Sequence, residues 1–227
     1  MVINFENEKQ RYLYQLMEKR HSVRSYLDNQ VEEDKKSEIN KIVSEINHDH
    51  GFNFQVFYDE PECFDCFMAH YGKFNNVKNY LSLVASKEDE EKVGYYAEMI
   101  VLKMIELGLS SCYVALTHGK SKAKVSKNQK EICIICFGYG KTEGVFHKNK
   151  ELSKLSNVDE KMPTWFKNGV LAAILAPTAT NQQKFYISYE NDKAYIKKKI
   201  GFYSTLDLGI VKYHFETISG HKIINKE

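Results

Sequence analysis

Arg20-His21-Ser22-Val23-Arg24 carries two guanidiniums four residues apart with a hydroxyl between them. A phosphate dianion needs charge and several directed donors. The planar arginine fork supplies both, and a serine hydroxyl adds a short hydrogen bond. Solvated surface charge uses the same residues. A second segment is Ala176-Pro177-Thr178-Ala179-Thr180-Asn181-Gln182-Gln183, where proline stops a helix and small hydroxyl and amide residues follow. Small residues let a backbone approach a flat ring, and a held asparagine amide matches donors and acceptors along a heterocycle's edge. A plain helix-to-strand turn has the same composition. Two shorter segments are Asn75-Asn76-Val77-Lys78, ahead of a strand, and Gly108-Leu109-Ser110-Ser111-Cys112-Tyr113-Val114-Ala115, after a helix. Alone, these read as a surface lysine and a helix cap.

The cysteines, Cys63, Cys66, Cys112, Cys133 and Cys136, are odd in number. With no leader-like segment, this fits free thiols in a reducing compartment. Cys133 and Cys136 lie in Ile-Cys-Ile-Ile-Cys-Phe, a buried-strand pattern. Strand side chains three apart point to opposite faces, so these two cannot share a metal. Cys63 and Cys66 lack a knuckle glycine, and no metal site is expected.

Elements must hold these segments in place. Tyr12, Leu13, Leu16 and Met17 mark a helix ending near Arg20, with a short loop over Ser22 to Tyr26. Ile39, Ile42, Val43 and Ile46 mark a second helix, closed by polar Asn47 to His50 and by Gly51. Strands are expected at Phe54 to Tyr58 and Tyr80 to Ala85. A long helix carries Val93, Ala97, Ile100, Val101, Met104 and Ile105, and stops at Gly108. Ile132 to Phe137 is the next strand, followed by a polar crossover over Thr142 to Asp159. Pro163 opens another helix. Phe185 to Tyr189 and Lys193 to Ile200 form a hairpin, and Leu206 to Ile218 an amphipathic last helix. Helix openings Val93-Gly94-Tyr95 and Leu208-Gly209-Ile210 hint at an internal repeat.

Composition narrows the class. The 227 residues are 43% hydrophobic and 27% charged, with net charge +2. That balance supports neither a nucleic-acid groove nor a membrane face. No run reaches the ~20 apolar residues of a membrane span. Met1 to Gln10 has no apolar core of the kind a signal peptide needs. A cytoplasmic protein is expected.

Taken together, the four segments resemble the FMN-dependent nitroreductase family. Arg20 to Arg24 is similar to its N-terminal phosphate and ribityl motif. Glu106 to Tyr113 resembles its helix followed by Gly-Leu-Gly-Ser-Cys-Trp, and Phe137-Gly138-Tyr139-Gly140 its late strand. Ala176 to Gln183 resembles its Ala-Pro-Ser-x-x-Asn-x-Gln element, displaced here into the second half of the chain. Ordinary members are dimers whose flavin lies between the two motifs of different subunits. The displacement therefore resembles a single-chain, pseudo-dimer type.

The resemblance implies an α+β nitroreductase-like fold of two related halves, residues 1–150 and 151–227, each a small, mostly antiparallel sheet packed by helices. It implies that Arg20, His21 and Ser22 bind the FMN phosphate and ribityl chain, with Lys148 and Lys150 completing the phosphate site. Arg24, Asn75 and Lys78 would face the ring's N1 and C2 edge. Backbone at Val114 and Ala115 would reach N5, and Pro177, Thr178, Ala179, Thr180 and Asn181 would line the ring from the other half. The implied activity is reduction of a flat small-molecule acceptor, a nitroaromatic or quinone, by NADH or NADPH. No side chain is required as acid or nucleophile, because the flavin carries the redox chemistry. A monomer could form the site, and a homodimer is compatible. The alternative is a flavin-binding or electron-transfer protein without turnover.

Overall fold

The computed structural model describes residues 3–226. Two compact units emerge, both discontinuous in sequence. One comprises Arg20–Glu90 with Ile100–Phe146; the other comprises the residues up to Lys19, Glu91–Met99, and the residues from His147 onward. The units therefore do not follow a boundary at residue 150. A cut there would part the first helix and Glu91–Met99 from the last helix, against which both pack.

The Arg20–Phe146 unit is built on a four-stranded antiparallel sheet. Its strands are β1 (Gln55–Phe57), β2 (Asn79–Ala85), β3 (Ser110–Val114) and β4 (Lys130–Gly138), in spatial order β1-β2-β4-β3. β2 is buried along its whole length and β4 over Ile132 to Gly138. That is why β4 reads as a continuous apolar run rather than an alternating one, and β2 as an apolar run broken only by Asn79 and Ser82. Tyr80 pairs with Cys136, and Cys136 with Cys112, so these three residues form a row across the sheet. They share a core cluster with Val114, Ile134, Val23, Tyr26, Phe64, Phe74 and Val77. Helix α2 (Glu33–His50) buries Ile39, Val43 and Ile46. Asn47 to His50 form its last turn rather than lying beyond it, and Gly51 closes it at φ +68°. Between β1 and β2 come a 3₁₀ turn (Glu62–Phe64) and a short helix α3 (Phe67–Tyr71). Neither is anticipated from sequence. α3 is one turn long and leaves Phe67 and Tyr71 exposed, so it has no apolar stripe to detect.

The other unit holds α1 (Glu8–Lys19), the N-terminal part of α4 (Glu90–Glu106), α5 (Leu152–Leu155), α6 (Thr164–Ala173) and α7 (Ser204–Ser219). Its sheet joins β5 (Phe185–Glu190), β6 (Lys193–Lys198) and β7 (Ile223–Asn225). β5 and β6 form the expected hairpin. Asn191 and Asp192 adopt φ of 50° and 58°, the pattern of a two-residue turn that suits strand twist. β7, unanticipated, pairs parallel to β6.

α7 is not amphipathic as expected. Most of its residues are buried, including Asp207 and His214, because α1, α6, the sheet and Glu91–Met99 surround it. The α4–α7 contact depends on two glycines. A Cβ on Gly94 would stand 2.1 Å from the Leu206 carbonyl oxygen, and one on Gly209 would stand 1.8 Å from that of Glu91. Nearby, His214 Nε2 lies 2.9 Å from Glu98 Oε1, both fully buried, and Lys212 reaches Glu91 at 2.6 Å. The whole is the α+β class expected, with two sheets of mainly antiparallel pairs packed by helices. Among the described residues no helix is long and apolar enough to cross a membrane.

Candidate functional site

The arginine segment is extended rather than coiled, and it threads through the first unit as a strand-like piece. Ser22 bridges to Ser111, and the Val23 N–H donates to the Ser111 carbonyl at 3.0 Å. The Asn75 N–H donates to the Arg24 carbonyl at 2.9 Å, and the Tyr26 N–H donates to the Asn75 carbonyl at 3.1 Å. Tyr26 and Gly140 form a further bridge. Backbone bonds alone therefore collect four segments singled out from sequence: residues 20–26, 75–78, 108–115 and 137–140. Tyr26 fixes the arrangement from below. Its buried hydroxyl donates to the Val23 carbonyl at 2.7 Å, and burial pushes its pKa well up.

Side chains follow from this backbone. Arg20 is buried, with 4% exposure, just past the end of α1. Ser22 is exposed, and the His21 ring meets Phe146 edge-on at 4.5 Å. The exposed Arg24 guanidinium lies 5.9 Å from the Phe74 ring centroid. Lys78 is partly exposed and pairs with Asp28, whose carboxyl it holds below the usual range. Val114 is buried and Ala115 partly so. The charge of the segment is felt inside the fold. The Cys112 thiol is lowered to about 7 by the Cys136 hydrogen bond first, and then by Arg24, Ser22 and Arg20, against the opposing effect of burial. Arg24 and Arg20 thus place positive charge beside Cys112.

In the other unit, the 148–150 and 177–183 segments meet. Asn181 donates its side-chain amide to the Lys148 carbonyl at 2.9 Å. The buried Gln183 accepts from the Lys150 N–H at 2.7 Å and donates to Asn149 Oδ1 at 2.9 Å. Pro177 and Thr178 are partly buried, and Thr178 Oγ1 accepts from the Gln183 N–H. The Ala179 N–H donates to both carboxylate oxygens of Asp207, at 2.9 and 3.1 Å. Thr180 and Asn181 hold φ of 50° and 53° on an exposed turn. Burial, with Lys184, Lys199 and Lys154, depresses the Lys150 pKa.

Sequence reasoning misses several groups around these clusters. Asp207, which holds the Pro-Thr turn, is masked because it sits in a helix far along the chain. Tyr26 reads simply as the end of a motif. A pocket of about 210 Å³ is lined by Pro61, Phe64, Asp65, His70 and Phe74 to Val77, and so it adjoins Asn75 and the ring under Arg24. It depends on the unanticipated 3₁₀ turn and α3. The five cysteines are free thiols, as expected, and among the described residues no cluster fit for a metal occurs.

A family model described as putative TM nitroreductase matches residues 12–219. The chain belongs to that family. Its fold is also that of solved nitroreductase structures. A crystal structure of a putative nitroreductase from Thermotoga maritima is 23% identical, with a TM-score of 0.66 over 91% of this chain and 82% of that one. A putative NADH dehydrogenase/NAD(P)H nitroreductase from Bacteroides thetaiotaomicron is 20% identical, with a TM-score of 0.50 over 63% of this chain and 95% of its own. A putative nitroreductase from Desulfovibrio desulfuricans, solved in complex with FMN, is 16% identical, with a TM-score of 0.48 over 70% and 99% of the chains. No curated protein matches the chain.

Proposed function

We propose that this nitroreductase-family chain is an FMN-dependent oxidoreductase that uses NADH or NADPH to reduce a flat acceptor such as a nitroaromatic or quinone. The observation that carries the reading is the positively charged cluster of Arg20, Ser22 and Arg24, locked by backbone bonds to Asn75 and β3. Its chemistry suits a flavin mononucleotide: guanidiniums and an exposed hydroxyl for a phosphate, and β3 backbone beside them. When bound, the flavin would supply hydride transfer at its N5.

The chain's residues bind and orient. Arg20 and Ser22 hold the phosphate end; Lys148 and Lys150 are assigned to it on the family resemblance alone. Arg24, Asn75 and Lys78 set positive charge and donors at the ring's edge, where reduction brings negative charge. Asp28 offsets part of the Lys78 charge. The turn over Pro177 to Asn181 is assigned to the flavin ring on the family resemblance alone. Asp207 holds its shape through Ala179, which leaves small residues outward.

The pseudo-dimer reading has support in the glycines. The two helix openings that hinted at a repeat, around Gly94 and Gly209, pack directly on one another. Equivalent helices meeting at equivalent glycines is what an internal two-fold relation would produce. On this reading one chain suffices for one flavin.

The test is direct. Purified protein should be yellow, release FMN on heating, carry about one FMN per chain as a monomer, and oxidise NADH or NADPH in steady state. Colourless protein that takes up no FMN sinks the proposal. Flavin without turnover would instead favour the binding-protein alternative, and flavin lost on dissociation to monomers would remove the pseudo-dimer.

A further inference from the structure

Cys112 and Cys136 stand opposite one another on adjacent antiparallel strands, on the same face of the sheet. Directly opposed residues in such a ladder have Cα atoms about 4.5–5.5 Å apart. A disulfide needs roughly 4.4–6.8 Å, a range that covers directly opposed residues of such a ladder. No other cysteine pair has this arrangement. Cys133 pairs with Leu83 in another register, and the Cys63 thiol, beside Glu60, is pushed up to about 12 by burial first.

The surroundings also differ from an inert core. Arg20 and Arg24 place positive charge at Cys112, and Ser22 offers it a hydrogen bond. The Tyr26 hydroxyl sits 3.3 Å from Cys136 Sγ. The Cys136 S–H donates to the Cys112 carbonyl at 3.6 Å, and burial raises the Cys136 thiol well above its usual range. One sulfur is thus poised as a thiolate and its neighbour as a thiol, the pairing that attack and resolution require.

We propose that Cys112 and Cys136 form a reversible cross-strand disulfide when the protein meets hydrogen peroxide. The Cys112 thiolate attacks one peroxide oxygen. The O–O bond breaks, leaving a sulfenic acid on Cys112 and a hydroxide that takes a proton from solvent. The Cys136 sulfur then attacks the Cys112 sulfur. The S–S bond forms, the S–O bond breaks, and the departing hydroxide leaves as water with the Cys136 proton. Overall, two thiols lose two electrons and two protons, and one peroxide becomes two waters. Both thiols are buried, at 2% and 0% exposure, which selects an oxidant as small as peroxide over a bulky disulfide. The inference stands on the sheet register and its neighbours, and does not depend on the flavin reading.

The full chain, treated with hydrogen peroxide, alkylated under denaturing conditions and digested, reads the outcome. A Cys112–Cys136 linked peptide that disappears with dithiothreitol is expected. The Cys112 thiol should be lost faster than the Cys133 thiol, because a lowered thiol holds more of the reactive thiolate. In Cys136→Ser, Cys112 should stop at a sulfenic acid that dimedone traps, whereas Cys133→Ser should still form the link. Cys112 and Cys136 both alkylating fully after oxidation overturns the proposal. So does a link confined to Cys63 and Cys66, or oxidation of Cys112 beyond the sulfenic stage with Cys136 untouched. The wild-type map decides even if a variant fails to fold.

Discussion

Replacing Gly209 by alanine adds one methyl group where the structure has no room for it. The new Cβ would lie 1.8 Å from the Glu91 carbonyl oxygen and 2.7 Å from the Tyr95 nitrogen. Ordinary carbon contacts begin at roughly 3.5 Å, so α7 and the Glu91–Met99 stretch must part by well over an ångström. The obstacles are helix backbone, which cannot swing aside as a side-chain tip would. Separation also stretches the Lys212–Glu91 and His214–Glu98 contacts, at 2.6 and 2.9 Å. Overpacking of this kind typically costs about 1–3 kcal/mol, and backbone obstacles place it near the top of that range. Alanine returns about 1 kcal/mol of helix propensity. The expected net loss is about 2 kcal/mol, read as a lower urea midpoint with an unchanged slope. On an exposed helix the same change would stabilise, so the sign itself is the test. An unchanged or raised midpoint would refute the close-packed contact. Gly94→Ala, facing the Leu206 carbonyl at 2.1 Å, should behave alike. The double variant should lose less than the sum, since either methyl already opens the same contact.

Other outcomes follow from the cluster around Arg20. Arg20→Ala should weaken FMN binding by about 2 kcal/mol, the loss of a charge-assisted bond, with Arg20→Lys intermediate. A fluorescence titration giving an unchanged Kd would take Arg20 out of the site. Lys78→Met should lower the reduction potential of bound flavin, because it removes positive charge and leaves Asp28 uncompensated; a potentiometric titration with no change would remove Lys78 from the ring's edge. The affinity for FMN should fall as pH rises through about 7, because the thiol of Cys112 then becomes an anion sharing the fields of Arg20 and Arg24. Below pH ~6 affinity should also fall as the phosphate gains a proton, so binding peaks between. Cys112→Ser should abolish the upper limb alone, and a profile still declining above pH 7 in that variant would show another group to be responsible.

What was legible in the sequence was local. α2, α4 and β4 follow from the spacing of Ile39, Val43 and Ile46, of Val93, Ala97 and Ile100, and from the unbroken run Ile132 to Phe137. The Asn191-Asp192 turn follows from residues that tolerate positive φ. Gathering of the arginine segment with Asn75 and Ser111 was expected from resemblance, but no spacing rule could supply it: the bonds join residues some 50 and 90 positions apart. The same limit hid Asp207 behind the Pro-Thr turn, and β7 beside β6. α7 shows the reverse case. Its periodicity identifies a helix, yet a sequence pattern cannot register that elements on every side cover it.

The cysteines show how the two kinds of information combine. Alternation along one strand is enough to say that Cys133 and Cys136 face apart, and the register agrees. Cys133 pairs with Leu83, whereas Cys136 lies in the row with Tyr80 and Cys112. Nothing in one strand's sequence says which residue of a neighbouring strand will stand opposite. That depends on the length of the 115–129 connection and on how β3 and β4 bury their faces together. A register slipped by one residue would set Tyr113 against Cys136, turn Cys112 to the other face, and remove it from the charge of Arg20 and Arg24. The character of the Cys112 thiol is therefore a property of the pairing, and any substitution that shifts β3 should abolish both the lowered thiol pKa and the positive field it reports.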